Sequence, residues 1–177
     1  MRQSLAMVSS QKRVIVRRFS RDWLAGFVSQ RHFVSDGSLE LLDVSGKRVA
    51  PPLSEIKMVS FVRDFGPAGA TDPERLGRRN FSGRPRTPGL MVRLRFRDNE
   101  ILEGLVANDL SLLENEGILL TPPDTRSNTQ RIYIPRLSIA ELEVLGIIKA
   151  RTSRKPPGSI VQEDLFGSAP ITGSRPN

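Results

Sequence analysis

Arginines gathered in two segments are the residues of this 177-residue chain whose chemistry is easiest to anticipate. A guanidinium group binds phosphate through paired hydrogen bonds, and a basic, flexible segment can follow a polyanion. Proteins that bind single strands also stack bases on exposed aromatic rings, but Trp23, Phe27 and Phe33 fit a hydrophobic core equally well. Nucleic-acid binding is therefore predicted from charge alone, with solubility as the competing interpretation. The arginines concerned are Arg13, Arg17, Arg18, Arg78, Arg79, Arg84 and Arg86.

The positive charge of the chain is unevenly distributed. The formal net charge is +8, and residues 1–62 carry ten Lys/Arg against five Asp/Glu, whereas residues 90–149 carry seven against nine. The excess lies in the first half and in the segment that connects the halves, while the second half is mildly acidic. Basic surfaces attract polyanions by long-range Coulomb steering. A nucleic-acid or protein partner is therefore expected for the first half and the connector.

Residues that could carry catalysis or bind a metal are scarce in the sequence. The chain has no cysteine, and its only histidine, His32, falls in a predicted loop. A catalytic triad or a His/Cys metal site would lack its members. The spacings GxxxxGK[ST] and GxGxxG, which mark glycine-rich phosphate loops, are also absent. The sequence predicts a non-catalytic protein without cofactor or metal.

Short apolar segments separated by turns predict an all-β chain. Val14–Phe19 and Met91–Phe96 are both predicted as opening strands, the second with alternating apolar and arginine residues. Each is followed by a strand with an internal glycine, Gly26 or Gly104, where a bulge or sharp bend is expected. The order of segments after these glycines also agrees, which indicates a tandem repeat.

The closing strand carries the clearest sign of that repeat. Glu55–Val62, EIKMVSFV, and Glu141–Ile148, ELEVLGII, match in residue class at every position. We predict two tandem SH3-like or Sm-like barrels of about five strands each, or alternatively one larger six- or seven-stranded barrel. Units this small are marginally stable, so they should pack on each other or self-associate. The predicted divisions are residues 12–63 for the first barrel, 64–89 for a Gly/Pro/Arg-rich linker, 90–149 for the second barrel and 150–177 for a disordered tail.

Three phrases, EIKMVSFVRDF, RFRDNEILEG and TPPDTRSNTQRIYIPR, resemble an uncharacterised bacterial family of Sm-like repeat domains. The resemblance covers residues 12–149 and implies a binding or adaptor module in a regulatory setting, with no enzymatic activity attached. The strand order is similar to that of Sm-like proteins. The Arg-Gly pair with which those proteins read RNA after the fourth strand has no counterpart here.

Part of the first half resembles PilZ domains, which bind cyclic di-GMP through the signature RxxxR followed by DxSxxG. Arg13 and Arg17 match the arginine pair, and Asp43 with Ser45 matches the start of the second element. Arg48 stands where the signature has glycine, so the second element is incomplete. The resemblance implies a cyclic-dinucleotide sensor as an alternative function.

The predicted tail contains QEDLF, similar to the pentapeptide by which bacterial replication and repair proteins dock on the sliding clamp. In that reading Gln162 makes polar contacts while Leu165 and Phe166 enter an apolar cleft. Glu163 departs from the usual leucine. No signal peptide or membrane-spanning segment is apparent, so a cytoplasmic protein is expected.

Overall fold

The computed structural model describes residues 11–30, 32–66, 79–124 and 126–149. These residues form strands joined by turns, with one single-turn helix and one 3-10 turn, so the all-β prediction is confirmed. No helix within these ranges is long and apolar enough to cross a membrane. The elements are β1 (Gln11–Arg18), β2 (Trp23–Ser29), β3 (Val34–Ser35), β4 (Ser38–Leu39), β5 (Leu41–Asp43), β6 (Arg48–Val49), β7 (Ile56–Val62), β8 (Gly89–Phe96), β9 (Ile101–Val106), α1 (Ser111–Glu114), β10 (Gly117–Thr121), β11 (Thr129–Pro135), the 3-10 turn (Arg136–Ser138) and β12 (Ile139–Ile148).

Ten of the strands form one antiparallel sheet in the order β12-β8-β9-β10-β11-β7-β1-β2-β5-β6, and β3 pairs with β4 separately. The first half contributes β7-β1-β2-β5-β6 and the second contributes β12-β8-β9-β10-β11, so both halves have the same strand order. Pairing of β11 with β7 joins the halves. Among the described strands the sheet is not closed into a barrel, because β12 and β6 form its two ends.

Two apolar cores lie along this sheet, and β7 contributes to both. The first core is built mainly from the first half, but it includes Tyr133 of β11. The second is built mainly from the second half, but it includes Met58 of β7. Successive residues of a strand point to opposite faces, so Val59 faces the first core while its neighbour Met58 faces the second. Burial on both faces explains why β7 is mostly apolar and almost wholly buried.

The two predicted bend glycines mark sites of close approach. A Cβ added to Gly26 would lie 2.4 Å from the carbonyl oxygen of Leu42, and one on Gly104 would lie 2.3 Å from the Leu120 side chain. The pairing of β1 with β2 and of β8 with β9 runs through both glycines without interruption, so a bulge, one of the two features expected at these positions, is absent there. The glycines are needed because β5 packs directly on Gly26 and β10 packs directly on Gly104.

These glycines also fix the alignment of the two halves. Val14 is paired with Gly26, and Val92 with Gly104, so β1 and β8 align through the two valines. Arg17 then corresponds to Arg95. This alignment is one residue away from a simple superposition of Val14–Phe19 on Met91–Phe96.

The predicted match between the closing strands is out of register by three residues. Arg18 pairs with Ile56 beside a shift that skips Lys57, and Phe96 pairs with Ile139 beside a shift that skips Ala140. Because Arg18 and Phe96 correspond, the structure aligns Ile56 with Ile139, whereas the sequence match aligns Ile56 with Leu142. The same bulge occurs in both halves. The residue-class match between Glu55–Val62 and Glu141–Ile148, which predicted the repeat, is displaced from this structural alignment.

Candidate nucleic-acid interface

Arg13 and Arg17 lie on the face of β1 that is opposite the first core. Val14 and Val16, which alternate with them, are fully buried in that core. Side chains along a strand alternate between faces, so the two arginines share the other face with Ile15. Ile15 is itself buried, and the arginines therefore flank a buried apolar position.

The neighbouring strand β2 places aromatic rings on the same face. Arg17 is the cross-strand partner of Trp23, and Arg13 is the partner of Phe27. Side chains directly opposite each other on adjacent strands lie on the same face. The Trp23 side chain is 46% exposed. These four residues form what we call the arginine–aromatic face, in which a row of cations runs beside a row of rings.

A loop of the second half supports one end of this face. Arg13 donates a hydrogen bond from Nη1 to the carbonyl oxygen of Arg63, 3.0 Å away, and the ring of Phe65 packs edge-on against Phe27 with centroids 5.4 Å apart. Asn128, in the loop between β10 and β11, accepts from the backbone N–H of Arg63 and donates to the carbonyl of Asp64. This loop is longer than its counterpart between β5 and β6, and through Asn128 it holds the backbone of Arg63 and Asp64 in place.

Arg18 stabilises the turn between β1 and β2. Its guanidinium bonds to the carboxylate of Asp22 and lies 3.6 Å from Glu55. The pKa of Asp22 is lowered because the Ser20 hydroxyl and the Arg18 guanidinium both donate to its carboxylate. Arg21 in the same turn has a positive φ of 69°. We therefore assign Arg18 a structural role and leave it out of the arginine–aromatic face.

The predicted linker arginines are not brought to this face by any described contact. Arg79 is bonded to Glu100 at 2.9 Å and its carbonyl accepts from the backbone N–H of Glu103, so it lies along β9. Arg84 and Arg86 are exposed. Arg78, like the tail residues Gln162, Leu165 and Phe166 and the predicted disordered segment 150–177, lies outside the described residues.

The corresponding face of the second half carries ion pairs between strands. Arg93 lies 3.0 Å from Glu103 on β9 and 3.2 Å from Glu143 on β12, and Arg95 lies 2.8 Å from Glu141. Hydrogen bonding and Coulomb attraction from Glu103 raise the pKa of Arg93. The arginine-lined strand predicted here exists, but its positive charge is balanced by carboxylates.

A buried lysine ties the halves together. The Lys57 side chain is 3% exposed, and its Nζ lies 2.8 Å from Asp98 and 2.6 Å from Glu100. It also lies over the Phe96 ring, 5.1 Å from the centroid. Burial raises the pKa of Asp98 and Glu100. The hydrogen bond and the Coulomb attraction from Lys57 act together with a backbone hydrogen bond at Asp98 and the charge of Arg79 near Glu100, and their sum leaves both pKa values lowered. Lys57 therefore lies between two carboxylates in a buried, structural ion pair.

The residues that resemble the PilZ signature do not converge on one face. Val14, Gly26 and Asp43 occupy one row across β1, β2 and β5, so Asp43 belongs to the face of Val14. Arg13 and Arg17 lie on the other face. The Asp43 carboxylate accepts from the backbone N–H groups of Ser45 and Lys47 and from the Ser45 hydroxyl, which closes a local turn.

Other chemistry in the described part of the chain is sparse. His32 is exposed in the loop before β3, as its sequence context predicts. The described residues contain no group of three or more His, Cys, Asp or Glu side chains that could hold a metal ion. Trp23, whose sequence context fits a hydrophobic core equally well, is exposed and lies opposite Arg17 at the start of β2.

Comparison with known proteins identifies a family for this chain but no activity. No curated protein matches the chain, and neither does any solved structure. The model of a family of unknown function, DUF6982, matches residues 10–146, which include β1 through most of β12 and so the arginine–aromatic face. The chain therefore belongs to the DUF6982 family, whose function is unknown.

Proposed function

We propose that this chain is a non-catalytic binding protein that contacts single-stranded nucleic acid through the arginine–aromatic face. The observation that carries the proposal is the exposed Trp23 ring opposite Arg17 on the outer face of β1 and β2. Single-strand binding combines cations that follow the backbone with rings on which bases stack. Both components are present here within one pair of strands.

The geometry favours a nucleic acid over an acidic peptide. Carboxylates need only the guanidinium groups, whereas an exposed indole adds affinity for planar bases. Arg13 is oriented by the Arg63 carbonyl, which uses one of its N–H donors and leaves the remainder of the planar group to contact phosphate. Because the contacts are to backbone charge and to ring faces, the binding would be tolerant of base sequence.

The same proposal explains why the halves differ. The shared strand order and the shared glycines support a tandem repeat of one small unit, of the Sm-like or SH3-like kind expected from the sequence. In the first unit the outer face carries arginine and tryptophan. In the second, Arg95, which corresponds to Arg17, is paired with Glu141. Arg93, which corresponds to Ile15, is paired with Glu103 and Glu143. We infer that the first copy binds and the second supports it, within an adaptor or regulatory protein of the cytoplasm.

The experiment uses the single tryptophan of the chain as its probe. Titration of the full chain with oligothymidylate should quench Trp23 fluorescence saturably, because a stacked base contacts the indole directly. Binding should weaken as salt is raised, since phosphate contacts release counterions. Poly-glutamate of matched charge should leave the emission unchanged. Unchanged emission with oligothymidylate, or equal quenching by both polymers, would contradict the proposal.

A further inference from the structure

The two closing strands occupy corresponding places in the sheet but differ in exposure. Val59 on β7 is fully buried, whereas Leu142, which corresponds to it on β12, is 37% exposed. Phe61 is half-buried and packs on the first core, whereas the corresponding Val144 is 52% exposed. Ile147 further along β12 is exposed as well. The second closing strand is therefore a long edge with exposed apolar residues, a feature that natural proteins usually cover.

In the first half the covering element is β11. Tyr133 is paired with Val59, and Arg131 with Phe61, and the Tyr133 ring enters the first core. The ring of Phe33 meets Tyr133 edge-on with centroids 5.0 Å apart. Thus β11, the fourth strand of the second half in the sheet, covers β7, the fifth strand of the first half. This is a head-to-tail contact between two similar units.

The first half has its own fourth strand, β6, which forms the opposite end of the sheet. Leu41 pairs with Val49 as Leu120 pairs with Ile132, and the neighbouring strands align through these pairs. Ala50 therefore corresponds to Tyr133. β6 and β12 have no strand partner on their outer sides within the described residues.

The backbone after β6 is able to pair outward. Leu39 donates its N–H to the carbonyl of Pro51 at 2.9 Å, so the backbone groups of Pro51 point inward. Successive residues of a strand direct these groups to opposite sides, and Arg48 and Ala50 therefore direct theirs outward. The missing N–H of Pro51 falls on the inner side and does not block the edge.

We propose that β6 of one copy of this chain pairs with β12 of the next copy, in the register that β11 adopts on β7. Ala50 would lie opposite Leu142 and Arg48 opposite Val144. The contact joins two different surfaces, so repeating it produces a closed ring or an open filament. It also places the edge of the basic half, with Lys47 and Arg48, against the edge of the mildly acidic half, where Glu141 and Glu143 also pair with Arg95 and Arg93 of their own chain.

This contact is weaker than the junction within the chain. Ala50 supplies far less apolar area than Tyr133, and β6 has two residues where β11 has seven. Association should therefore be reversible and should depend on protein concentration. The proposal is independent of the nucleic-acid proposal, because it uses the two ends of the sheet and none of the arginine–aromatic face.

Disulfide cross-linking tests the register directly, since the natural chain has no cysteine. Opposed residues of paired strands are close enough to be bridged. The full-length double variant Ala50→Cys, Leu142→Cys should give a ladder of covalent multimers on mild oxidation. The matched control Ala50→Cys, Leu137→Cys, whose second site is exposed in the 3-10 turn, should not. Equal ladders in both, a disulfide within the monomer, or products that stop at two copies would overturn the proposal.

Sedimentation velocity over a range of concentrations provides the second test. Val144→Lys buries a charge in the contact and should weaken association at least about tenfold, whereas Leu119→Lys on the interior strand β10 should leave it unchanged. Both positions are exposed, and thermal unfolding followed by circular dichroism checks that both variants fold. A natural chain that stays at 19.7 kDa at all concentrations would overturn the proposal, and would point to residues of the same chain as the cover of β12.

Discussion

Arg17 and Trp23 are direct cross-strand partners on β1 and β2, and both side chains lie on the face opposite the first core. On its other side Arg17 is paired with Met58 of β7, whereas the corresponding Arg95 is paired with Glu141 of β12. The same position in the fold thus lies beside an exposed ring in one half and belongs to an ion pair in the other. Arg17 and Arg95 therefore form a matched pair for testing the proposed binding surface.

Arg17→Ala should weaken binding to oligothymidylate about tenfold, because a charge-assisted phosphate contact is lost. The slope of log affinity against log salt should become shallower by about 0.7, the value for one contact to a single strand. Fluorescence anisotropy of a labelled oligonucleotide at several salt concentrations measures both quantities.

Arg95→Ala is the matched control for that prediction. It removes the same charge from the corresponding place in the second half, where the guanidinium is bonded to Glu141. Affinity and salt slope should stay close to those of the natural chain. If the two variants lost the same affinity, net charge alone would account for binding and the arginine–aromatic face would have no special role.

Lys57→Met should destabilise the chain by about 1–3 kcal/mol. Removing one partner of a buried ion pair is costly, but Asp98 and Glu100 are partly exposed and retain some solvation. Urea unfolding monitored by circular dichroism gives the change in free energy. A loss below about 0.5 kcal/mol, the scale of an ordinary surface substitution, would contradict the structural role of the pair.

The pH dependence of that loss has a definite sign. The pKa values of Asp98 and Glu100 are lower in the folded chain, so they contribute stability above their unfolded values and lose it as pH falls through the folded ones. The difference between natural chain and Lys57→Met should therefore shrink below about pH 4. A difference that is constant from pH 7 to pH 3 would show that the ion pair does not cause it.

Much of the fold could be predicted from local pattern, and the register of β12 shows where this stops. The residue-class match is displaced by three residues, an odd number that exchanges the two faces of a strand. Residue class does not reveal this, because β7 is buried on both faces and carries apolar residues on each. The bulges at Lys57 and Ala140 shift the strand pairing, and the residue classes do not show where these bulges lie. Gly26 and Gly104 were the better markers, since close approach of the third strand allows no larger residue.

The site was predicted in part. Composition and strand pattern identified Arg13 and Arg17, but exposure of Trp23 depends on what packs beyond β2, which no local pattern reveals. The bond from Arg79 to Glu100 and the pair Arg95–Glu141 connect residues far apart in sequence. The pairing of Arg79 and Arg95 with carboxylates therefore could not be predicted from the sequence, because it depends on which strands are neighbours in the sheet.

Gly104→Ala should destabilise the second half by about 1–3 kcal/mol, because the new methyl group overlaps the Leu120 side chain. Gly83→Ala provides the control, since its Cβ would meet nothing within 4 Å. That variant should be neutral within about 0.5 kcal/mol. Thermal unfolding of both variants measures the difference, and an equal melting temperature for the two would contradict the close packing of β10 on β9.

Tyr133, the only tyrosine of the chain, reports on the junction between β11 and β7. Burial raises its pKa to about 12. The unfolded phenol loses its proton near pH 10, so between these values the folded state binds the extra proton and stability falls as pH rises. Absorbance at alkaline pH should show ionisation near 12 in the folded chain and near 10 in urea. Tyr133→Phe should reduce the loss of stability above pH 10, and ionisation near 10 in the folded chain would mean that Tyr133 is not buried in the first core.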